Sequence, residues 1–381
     1  MCIIINMKES ERKAGFMEDK IVYSTDNKVK LYSSEEDIMK KLEGVIGPKF
    51  VEYRRKWELT NKFELETEFP LYLQLELHQI CNLKCPMCAI GDPEANSKYI
   101  DDTHMDWETY KKIILEAEKY GCPSLNPQGT NEPLLVPNFE DYIKFASQHG
   151  FIDIMMNSNA TLLTEDKSRK LLDSGVTRIS FSLDAHSKET FEKIRIGADF
   201  DNVIKNIERF MEIKKEGGYE LPVVGVSFCK MKVNEDELDD FINRWSEKVD
   251  FIKVQNFIPP ELAHDYSQFI PTDSEYVQDI LSGFNCQQPW QRVYVHNSGE
   301  VCPCCTFFNE ELSLGNISEN TIHELWNSDK MKSLRNIHKK GNYDENPWCK
   351  SCVKGTCGIM DEKEFIEIRN STINRQKTIQ K

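Results

Sequence analysis

The segment CNLKCPMC, residues 81–88, carries Cys81, Cys85 and Cys88 in a C-x3-C-x2-C spacing. It follows residues 71–77, whose apolar residues recur at every second position and predict a β-strand. Thiolates ligate iron–sulfur clusters, and three of them leave one iron of a four-iron cube without a protein ligand. The spacing therefore predicts a cluster whose open iron can bind a small molecule. A structural zinc site is the alternative, but it needs a fourth ligand nearby, and the next cysteine is Cys122.

These cysteines and their position after a strand resemble the radical S-adenosylmethionine (SAM) superfamily. In that family the open iron holds the amino and carboxylate groups of SAM, and SAM is cleaved to a 5'-deoxyadenosyl radical. The resemblance implies that Cys81, Cys85 and Cys88 hold a [4Fe-4S] cluster, that SAM binds to it, and that a reductant such as flavodoxin or ferredoxin supplies an electron. Met87 departs from the family, in which this position is often aromatic.

Strand and helix patterns alternate along residues 70–260. Runs of strand type, such as residues 151–157 and 223–228, alternate with runs of helical apolar spacing, such as residues 106–120. Six such units predict an α/β fold in which a parallel sheet curls into a partial (β/α)6 radical SAM barrel. Ligands of such sheets bind at the carboxyl ends of the strands, so we expect the cysteine motif at that mouth.

Polar residues follow the next predicted strands and resemble the SAM-binding turns of the family. Gly129 and Glu132 come after the second strand, Asn159 after the third, and Ser182 and Asp184 end the fourth. The resemblance implies that Gly129 and Glu132 hold the SAM amino group, that Ser182 and Asp184 reach the ribose or methionine end, and that Asn159 belongs to the same site. Polar turns after strands are common, so the prediction depends on their order along successive strands.

Two residues beyond these turns are candidates for catalysis. Arg195 lies just after the fourth strand, where we expect it to contact the SAM carboxylate or the substrate. A surface salt bridge is an equal alternative. Cys229 ends the fifth strand, where a thiol can donate hydrogen in an epimerase, although a small buried apolar role is more common. Six histidines show no metal-ligand pairing and are interpreted as solvated or structural: His104, His149, His186, His296, His323 and His338.

A second group of cysteines lies in the last third of the chain. Cys286, Cys304, Cys349 and Cys352 resemble the SPASM/Twitch extension that follows some radical SAM barrels, and their intervals are similar to those of its shorter Twitch form. The resemblance implies one auxiliary [4Fe-4S] cluster that these four thiolates ligate. Gly299 suits a hairpin turn that brings the first two cysteines together.

The ligand set in this region has two alternatives. Cys302 and Cys305 are rivals of Cys304, because they are only two residues and one residue away from it. A zinc ribbon is the other alternative, since Cys302 and Cys305 form one C-x2-C pair and Cys349 and Cys352 form another. Too few cysteines are left for a second auxiliary cube, so two clusters in total are expected.

The patterns divide the chain into five segments. They are an N-terminal appendage at residues 1–69, the barrel at 70–260, a linker at 261–285, the auxiliary-cluster domain at 286–358 and a C-terminal tail at 359–381. The appendage shows two helical patterns and no recognisable chemistry.

Composition limits the partners and the compartment. The net charge of -15 over 381 residues argues against nucleic acid, because phosphate backbones attract clustered Lys and Arg. No apolar run approaches about 18 residues and no secretory signal is recognised, which predicts a cytoplasmic protein without membrane contact. The 13 cysteines are then metal or redox ligands rather than disulfides.

The family resemblance also implies the type of reaction. Hydrogen is abstracted from an unactivated carbon, after which an auxiliary cluster can take an electron and give a ketone, or a thiol can return hydrogen and give an epimer. The Twitch form resembles that of aminocyclitol dehydrogenases, which predicts a sugar-like or aminocyclitol-like small molecule. Modification of a peptide or protein by a SPASM-type enzyme is the alternative. An iron–sulfur electron carrier is a third class, but it would not need a SAM pocket.

Overall fold

The computed structural model describes residues 22–23, 29–31, 35–91, 104–257, 266–272, 285–305 and 312–357. Its strands are β1 (Val22–Tyr23), β2 (Val29–Leu31), β3 (Tyr72–Leu75), β4 (Ser124–Asn126), β5 (Asp153–Ser158), β6 (Arg178–Ser182), β7 (Val223–Lys230), β8 (Phe251–Asn256), β9 (Arg292–Val295), β10 (Glu300–Cys302) and β11 (Gly315–Asn316). Its α-helices are α1 (Glu35–Ile46), α2 (Pro48–Asn61), α3 (Trp107–Tyr120), α4 (Phe139–Gln148), α5 (Glu165–Leu172), α6 (Lys188–Ile194), α7 (Phe200–Glu216), α8 (Leu238–Trp245), α9 (Gln288–Gln291), α10 (Ile322–Trp326), α11 (Asp329–Lys339) and α12 (Pro347–Cys357).

Six parallel strands, β3 to β8, form the centre of the sheet in chain order. Helices α3 to α8 alternate with them, which confirms the predicted partial barrel. Four of these helices begin at residues whose side chains accept a first-turn N–H, namely Asp106, Thr164, Ser187 and Asp199.

The two faces of β3 differ in chemistry. Leu73 and Leu75 of β3 belong to one buried apolar cluster with Tyr110 and Ile113 of α3. The alternate residue Gln74 faces the barrel interior, where its side chain donates to the backbone carbonyl of Gln128 at 3.1 Å. The apolar core therefore lies between sheet and helices, and a polar side chain of β3 faces the interior of the barrel.

Both edges of this sheet are extended by strands from outside residues 70–260, the segment predicted as the barrel. β9 pairs in parallel with β3, from Tyr72 opposite Arg292 to Leu75 opposite Val295. β2 pairs antiparallel with β8 at the other edge. An open barrel leaves unpaired N–H and C=O groups on its edge strands, and these additions satisfy them. Within the described residues the sheet has 11 strands, and it includes strands from the predicted appendage and from the predicted auxiliary-cluster domain.

Helices α1 and α2 lie at the amino ends of the strands. Phe50, Tyr53 and Trp57 of α2 share a buried cluster with Tyr72 and Val223, the first residues of β3 and β7. The rings of Trp57 and Tyr72 meet edge to face, with centroids 6.5 Å apart. This part of the N-terminal segment covers the end of the barrel opposite to the cysteine motif.

Part of the segment predicted as a linker is packed. Tyr266 and Phe269 are buried in one cluster with Leu83 of the cysteine loop and Phe257. The rest of that segment up to residue 284, and the predicted tail, lie outside the described residues. Within the described part of the chain, no helix is both long enough and apolar enough to span a membrane.

Candidate active site

The cysteine motif forms a tight loop after β3. Cys85 is buried, Cys81 is half-buried and Cys88 is exposed. The N–H of Cys88 donates to the Cys85 carbonyl at 3.0 Å, and the N–H of Leu83 donates to the Cys81 sulfur at 3.5 Å. A side chain at Gly91 would clash with the Cys85 backbone. The loop thus holds the three predicted ligands on one folded-back segment.

The three thiols influence one another. Burial raises the pKa of Cys85 to about 11, the Arg195 guanidinium opposes the rise, and Cys88 and Cys81 add to it. Bound iron would supply the positive charge that keeps such thiols ionised. Side-chain N–H groups of Asn159 and Arg195 point at the sulfurs of Cys81 and Cys85. This donor set fits an iron–sulfur cluster with one open iron.

Glu132 joins the turn after β4 to the turn after β5. Its side chain is 2% exposed and accepts hydrogen bonds from the Ser158 hydroxyl at 2.8 Å and the Asn159 N–H at 2.7 Å. Burial raises the pKa of Glu132, and these hydrogen bonds oppose the rise. The carboxylate therefore fixes two of the expected SAM-binding turns to each other, and its contact with the SAM amino group stays a prediction.

Asn159 links the same turn to the cysteine loop. Its Nδ2 donates to Oδ1 of Asn82 at 3.0 Å and lies 4.0 Å from the Cys81 sulfur. Its Oδ1 accepts the N–H of Thr161 at 3.0 Å. The structure thus brings Asn159 beside the predicted cluster ligands.

Asp184 and Arg195 form an ion pair in which Asp184 is buried and Arg195 is half-buried. Asp184 has a positive φ of 63°, and its Oδ1 accepts the N–H of Cys229 at 2.8 Å. Its Oδ2 accepts from Nη2 of Arg195, whose Nη1 lies 3.9 Å from the Cys85 sulfur. Burial would lower the pKa of Arg195, but Asp184 and the Cys85 and Cys88 thiols together outweigh burial and raise it. Arg195 is therefore a fixed cation beside the cysteine loop.

Ser182 and Cys229 lie at the carboxyl ends of β6 and β7. Ser182 is half-buried and stands opposite Ser227 in the sheet. Cys229 packs against the cluster that contains Leu83 and Cys85, so it lies near the cysteine loop as the sequence predicts. Burial, and then the Asp184 charge, raise the pKa of the Cys229 thiol.

Polar residues line the barrel below this mouth. Asn126 of β4 and Ser180 of β6 alternate with core residues, so they face the interior. Asn126 is 8% and Ser180 is 7% exposed, and the Asn126 Oδ1 and Ser180 Oγ atoms have no hydrogen-bond partner among the described residues. Lys253 faces the same space, because its neighbours Ile252 and Val254 belong to the apolar core between sheet and helices, which we call the outer core.

The second cysteine group surrounds His338. Cys349 and Cys352 lie one turn apart on α12, and Cys286 precedes α9. The Cys286 N–H donates to Nδ1 of His338 at 3.4 Å, so Nε2 carries the proton and donates to the Cys349 sulfur at 3.4 Å. Burial lowers the pKa of His338 to about 4. The sequence placed His338 among histidines without a site, and the structure places it between two predicted ligands.

Cys305 also belongs to this group. Burial raises the pKa of Cys286 to about 12, and the neighbouring Cys352 and Cys305 thiols contribute to the rise. Cys305 and the preceding Cys304 are both half-buried, so the choice between them stays open. Neighbouring thiols, one of which accepts from a buried imidazole, fit a cysteine-ligated cluster. No set of three His, Cys, Asp or Glu side chains in the described residues converges as on a single metal ion.

The chain belongs to the radical SAM superfamily. Residues 75–244 match the Radical SAM superfamily model, and residues 286–353 match SPASM, an iron–sulfur cluster-binding domain. A GTP 3',8-cyclase of Clostridium botulinum strain Okra is 32% identical over 70% of this chain and 84% of its own length. The protein is thus a radical SAM enzyme. Its cofactors are a [4Fe-4S] cluster, SAM and auxiliary iron–sulfur clusters in a SPASM domain.

Two further proteins are similar to this chain. The tungsten-containing aldehyde ferredoxin oxidoreductase cofactor-modifying protein of Pyrococcus furiosus is 28% identical over 78% of this chain and 89% of its own length. The structure of anSMEcpe with bound AdoMet and the Kp18Cys peptide has a TM-score of 0.52 at 17% identity, covering 81% of this chain and 99% of that one. The second likeness supports the fold.

Proposed function

We propose that this radical SAM enzyme acts on a sugar-like or aminocyclitol-like small molecule and oxidises one of its alcohol carbons to a ketone or epimerises it. When bound, SAM and the clusters would supply the 5'-deoxyadenosyl radical and a one-electron acceptor. The proposed ligands are Cys81, Cys85 and Cys88 for the SAM-binding cluster and Cys286, Cys304, Cys349 and Cys352 for the auxiliary cluster. Gly129, Glu132, Asn159, Ser182 and Asp184 would shape the SAM site.

The polar interior of the barrel is the observation that carries the substrate class. A buried polar atom without a partner costs about 1–3 kcal/mol, and Asn126 and Ser180 each contribute one such atom. A ligand rich in hydroxyl groups offers donors and acceptors that satisfy both, whereas an aliphatic side chain offers neither.

Lys253 refines this substrate class. It stands opposite Ser227 of β7, two residues before Cys229, so it lies near the end of β7 where the predicted catalytic residues gather. An ammonium group inside a barrel favours a substrate with an anionic group, such as a sugar phosphate or a nucleotide sugar.

The chain also supplies groups for each outcome. For oxidation, the substrate carbon loses a hydrogen atom, its hydroxyl loses a proton and one electron leaves for the acceptor. For epimerisation, the Cys229 thiol would return a hydrogen atom to the opposite face, and the resulting thiyl radical then requires an electron and a proton from the reductant and solvent. The position of Cys229 beside the cysteine loop supports that role.

The test is a substrate panel with the reconstituted, reduced enzyme. We expect a sugar phosphate, nucleotide sugar or aminocyclitol to stimulate 5'-deoxyadenosine release and to give a ketone, or an epimer labelled from deuterated solvent. Asn126→Leu should raise the KM for that substrate about tenfold, as for one lost hydrogen bond, with SAM binding retained. Asn202→Leu, at an exposed position of α7, is the control. Stimulation by peptides alone would support the peptide-modifying alternative and contradict the proposal.

A further inference from the structure

Glu76 is a buried carboxylate between the barrel and the SPASM extension. It is 1% exposed, and its N–H donates to the Val295 carbonyl at 2.8 Å, next to the β3–β9 ladder. Its Oε2 accepts from Nε2 of Gln79 at 3.0 Å and lies 3.0 Å from Nδ1 of His296. Its Oε1 accepts from the N–H and the hydroxyl of Thr130 at 3.2 and 3.1 Å. One carboxylate thus contacts the extension and the turn after β4.

Tyr294 and Gly129 complete this contact. Tyr294 lies on β9, and His296 follows the end of that strand. The Tyr294 side chain forms a hydrogen bond with Glu76. A side chain at Gly129 would clash with the carboxylate of Glu76 and the phenol oxygen of Tyr294. Glycine therefore lets the backbone of the turn lie directly on both groups.

The hydrogen bonds fix the position of this carboxylate. Burial by itself would raise the pKa of Glu76, but hydrogen bonds from His296, Gln79 and Tyr294 outweigh burial and lower it. Removing one donor leaves part of a desolvated charge without its partner, which is costly. The turn at residues 129–130 is consequently held where β9 and Glu76 place it.

We propose that Glu76 is a positioning residue that couples the SPASM extension to SAM binding, with His296 and Tyr294 acting through it on the turn at residues 129–130. This inference rests on the proposed role of that turn in the SAM site. The extension then sets the affinity for SAM without touching SAM itself.

The test measures equilibrium SAM binding by reconstituted variants of equal iron content, and hydrogen exchange of the backbone at residues 127–134 before reconstitution. Glu76→Gln and His296→Leu should weaken SAM binding about tenfold, as for loss of a hydrogen bond to a charged group, and should speed exchange in the turn. His296→Asn can keep an N–H near the position of Nδ1 and should recover most of the affinity. Tyr294→Phe removes only a hydroxyl, so it tests the same coupling if the larger changes impair folding.

His323→Leu is the matched control. His323 is another histidine of the extension that contacts the barrel, where it stacks on Tyr120 with centroids 4.5 Å apart. The His323→Leu variant should bind SAM as the wild type does. Because His296 acts through Glu76, the Glu76→Gln/His296→Leu double variant should bind SAM no more weakly than Glu76→Gln alone.

Two results would overturn the coupling and are distinguishable. If Gly129→Ala weakens SAM binding while His296→Leu and Tyr294→Phe do not, the turn belongs to the SAM site but the extension does not control it. If Gly129→Ala also leaves SAM binding unchanged, the assignment of the turn to the SAM site is wrong as well.

Discussion

The half-buried Arg195 and the buried Asp184 form an ion pair at the mouth of the barrel. The guanidinium also lies 3.9 Å from the sulfur of Cys85, and the second carboxylate oxygen accepts the N–H of Cys229 at 2.8 Å. The pair therefore connects the ends of β6 and β7 to the cysteine loop. The pair has a structural and an electrostatic effect, because it fixes the cysteine loop and places a positive charge beside a predicted cluster ligand.

Asp184→Asn should destabilise the protein by about 3 kcal/mol, because it leaves a half-buried guanidinium without its counter-ion. Urea denaturation measures the change in the free energy of unfolding. Asp201→Asn, which breaks the exposed pair with Lys188, is the control and should change stability little. Equal stability of the Asp184 and Asp201 variants would show that the pair of Asp184 with Arg195 is not needed for the fold.

Cys229→Ala should separate SAM consumption from product formation if the enzyme is an epimerase. The variant would still cleave SAM but would not incorporate solvent deuterium at the inverted carbon, since the hydrogen donor is gone. Mass spectrometry of the product measures this. Cys122→Ala, at a buried cysteine of the outer core, is the matched control and should behave as wild type. Normal labelled product from the Cys229 variant excludes the donor role.

Cys349→Ala with Cys352→Ala should remove about four irons per chain, the content of one cube. The variant should still cleave SAM slowly but form no ketone, because the proposed electron acceptor is lost. Metal analysis and product detection together measure the outcome. Zinc in the wild-type extension, or ketone at the normal rate from the variant, would rule out the acceptor role.

Changing Cys81, Cys85 and Cys88 together to Ala should abolish SAM cleavage and leave about four irons per chain in the extension. The physical reason is that no other described cysteine loop at the barrel mouth offers three thiols. Unchanged release of 5'-deoxyadenosine would contradict this ligand assignment.

Local patterns predicted much of the fold. The alternating apolar residues around Gln74 and the capped, amphipathic helices such as that after Asp106 depend on neighbours in sequence, so local patterns predict six strands and most helices. The pairing of β9 with β3 joins Tyr72 to Arg292 across 220 residues, and no local pattern encodes such a partner. For the same reason, no local pattern predicts the contact between Glu76 and His296.

The candidate site was predictable where spacing determines chemistry. Three cysteines within residues 81–88 form one loop wherever that loop lies, and the order of polar turns located Glu132 and Asn159. Sequence does not decide between a ligand-binding and a surface role for Arg195, because its ion pair with Asp184 depends on backbone conformation that the pattern does not encode. Adjacent cysteines such as Cys304 and Cys305 differ only in side-chain direction, which spacing does not determine.

Transfer of deuterium from substrate to 5'-deoxyadenosine tests the proposed function most directly. The reduced, reconstituted enzyme is given SAM and a panel of sugar phosphates, nucleotide sugars and aminocyclitols deuterated at their alcohol carbons. We expect one of them to pass a single deuterium into 5'-deoxyadenosine and to appear as a ketone or an epimer. If no such compound transfers deuterium, and a deuterated peptide does, the enzyme modifies peptides and the sugar-like substrate class is wrong.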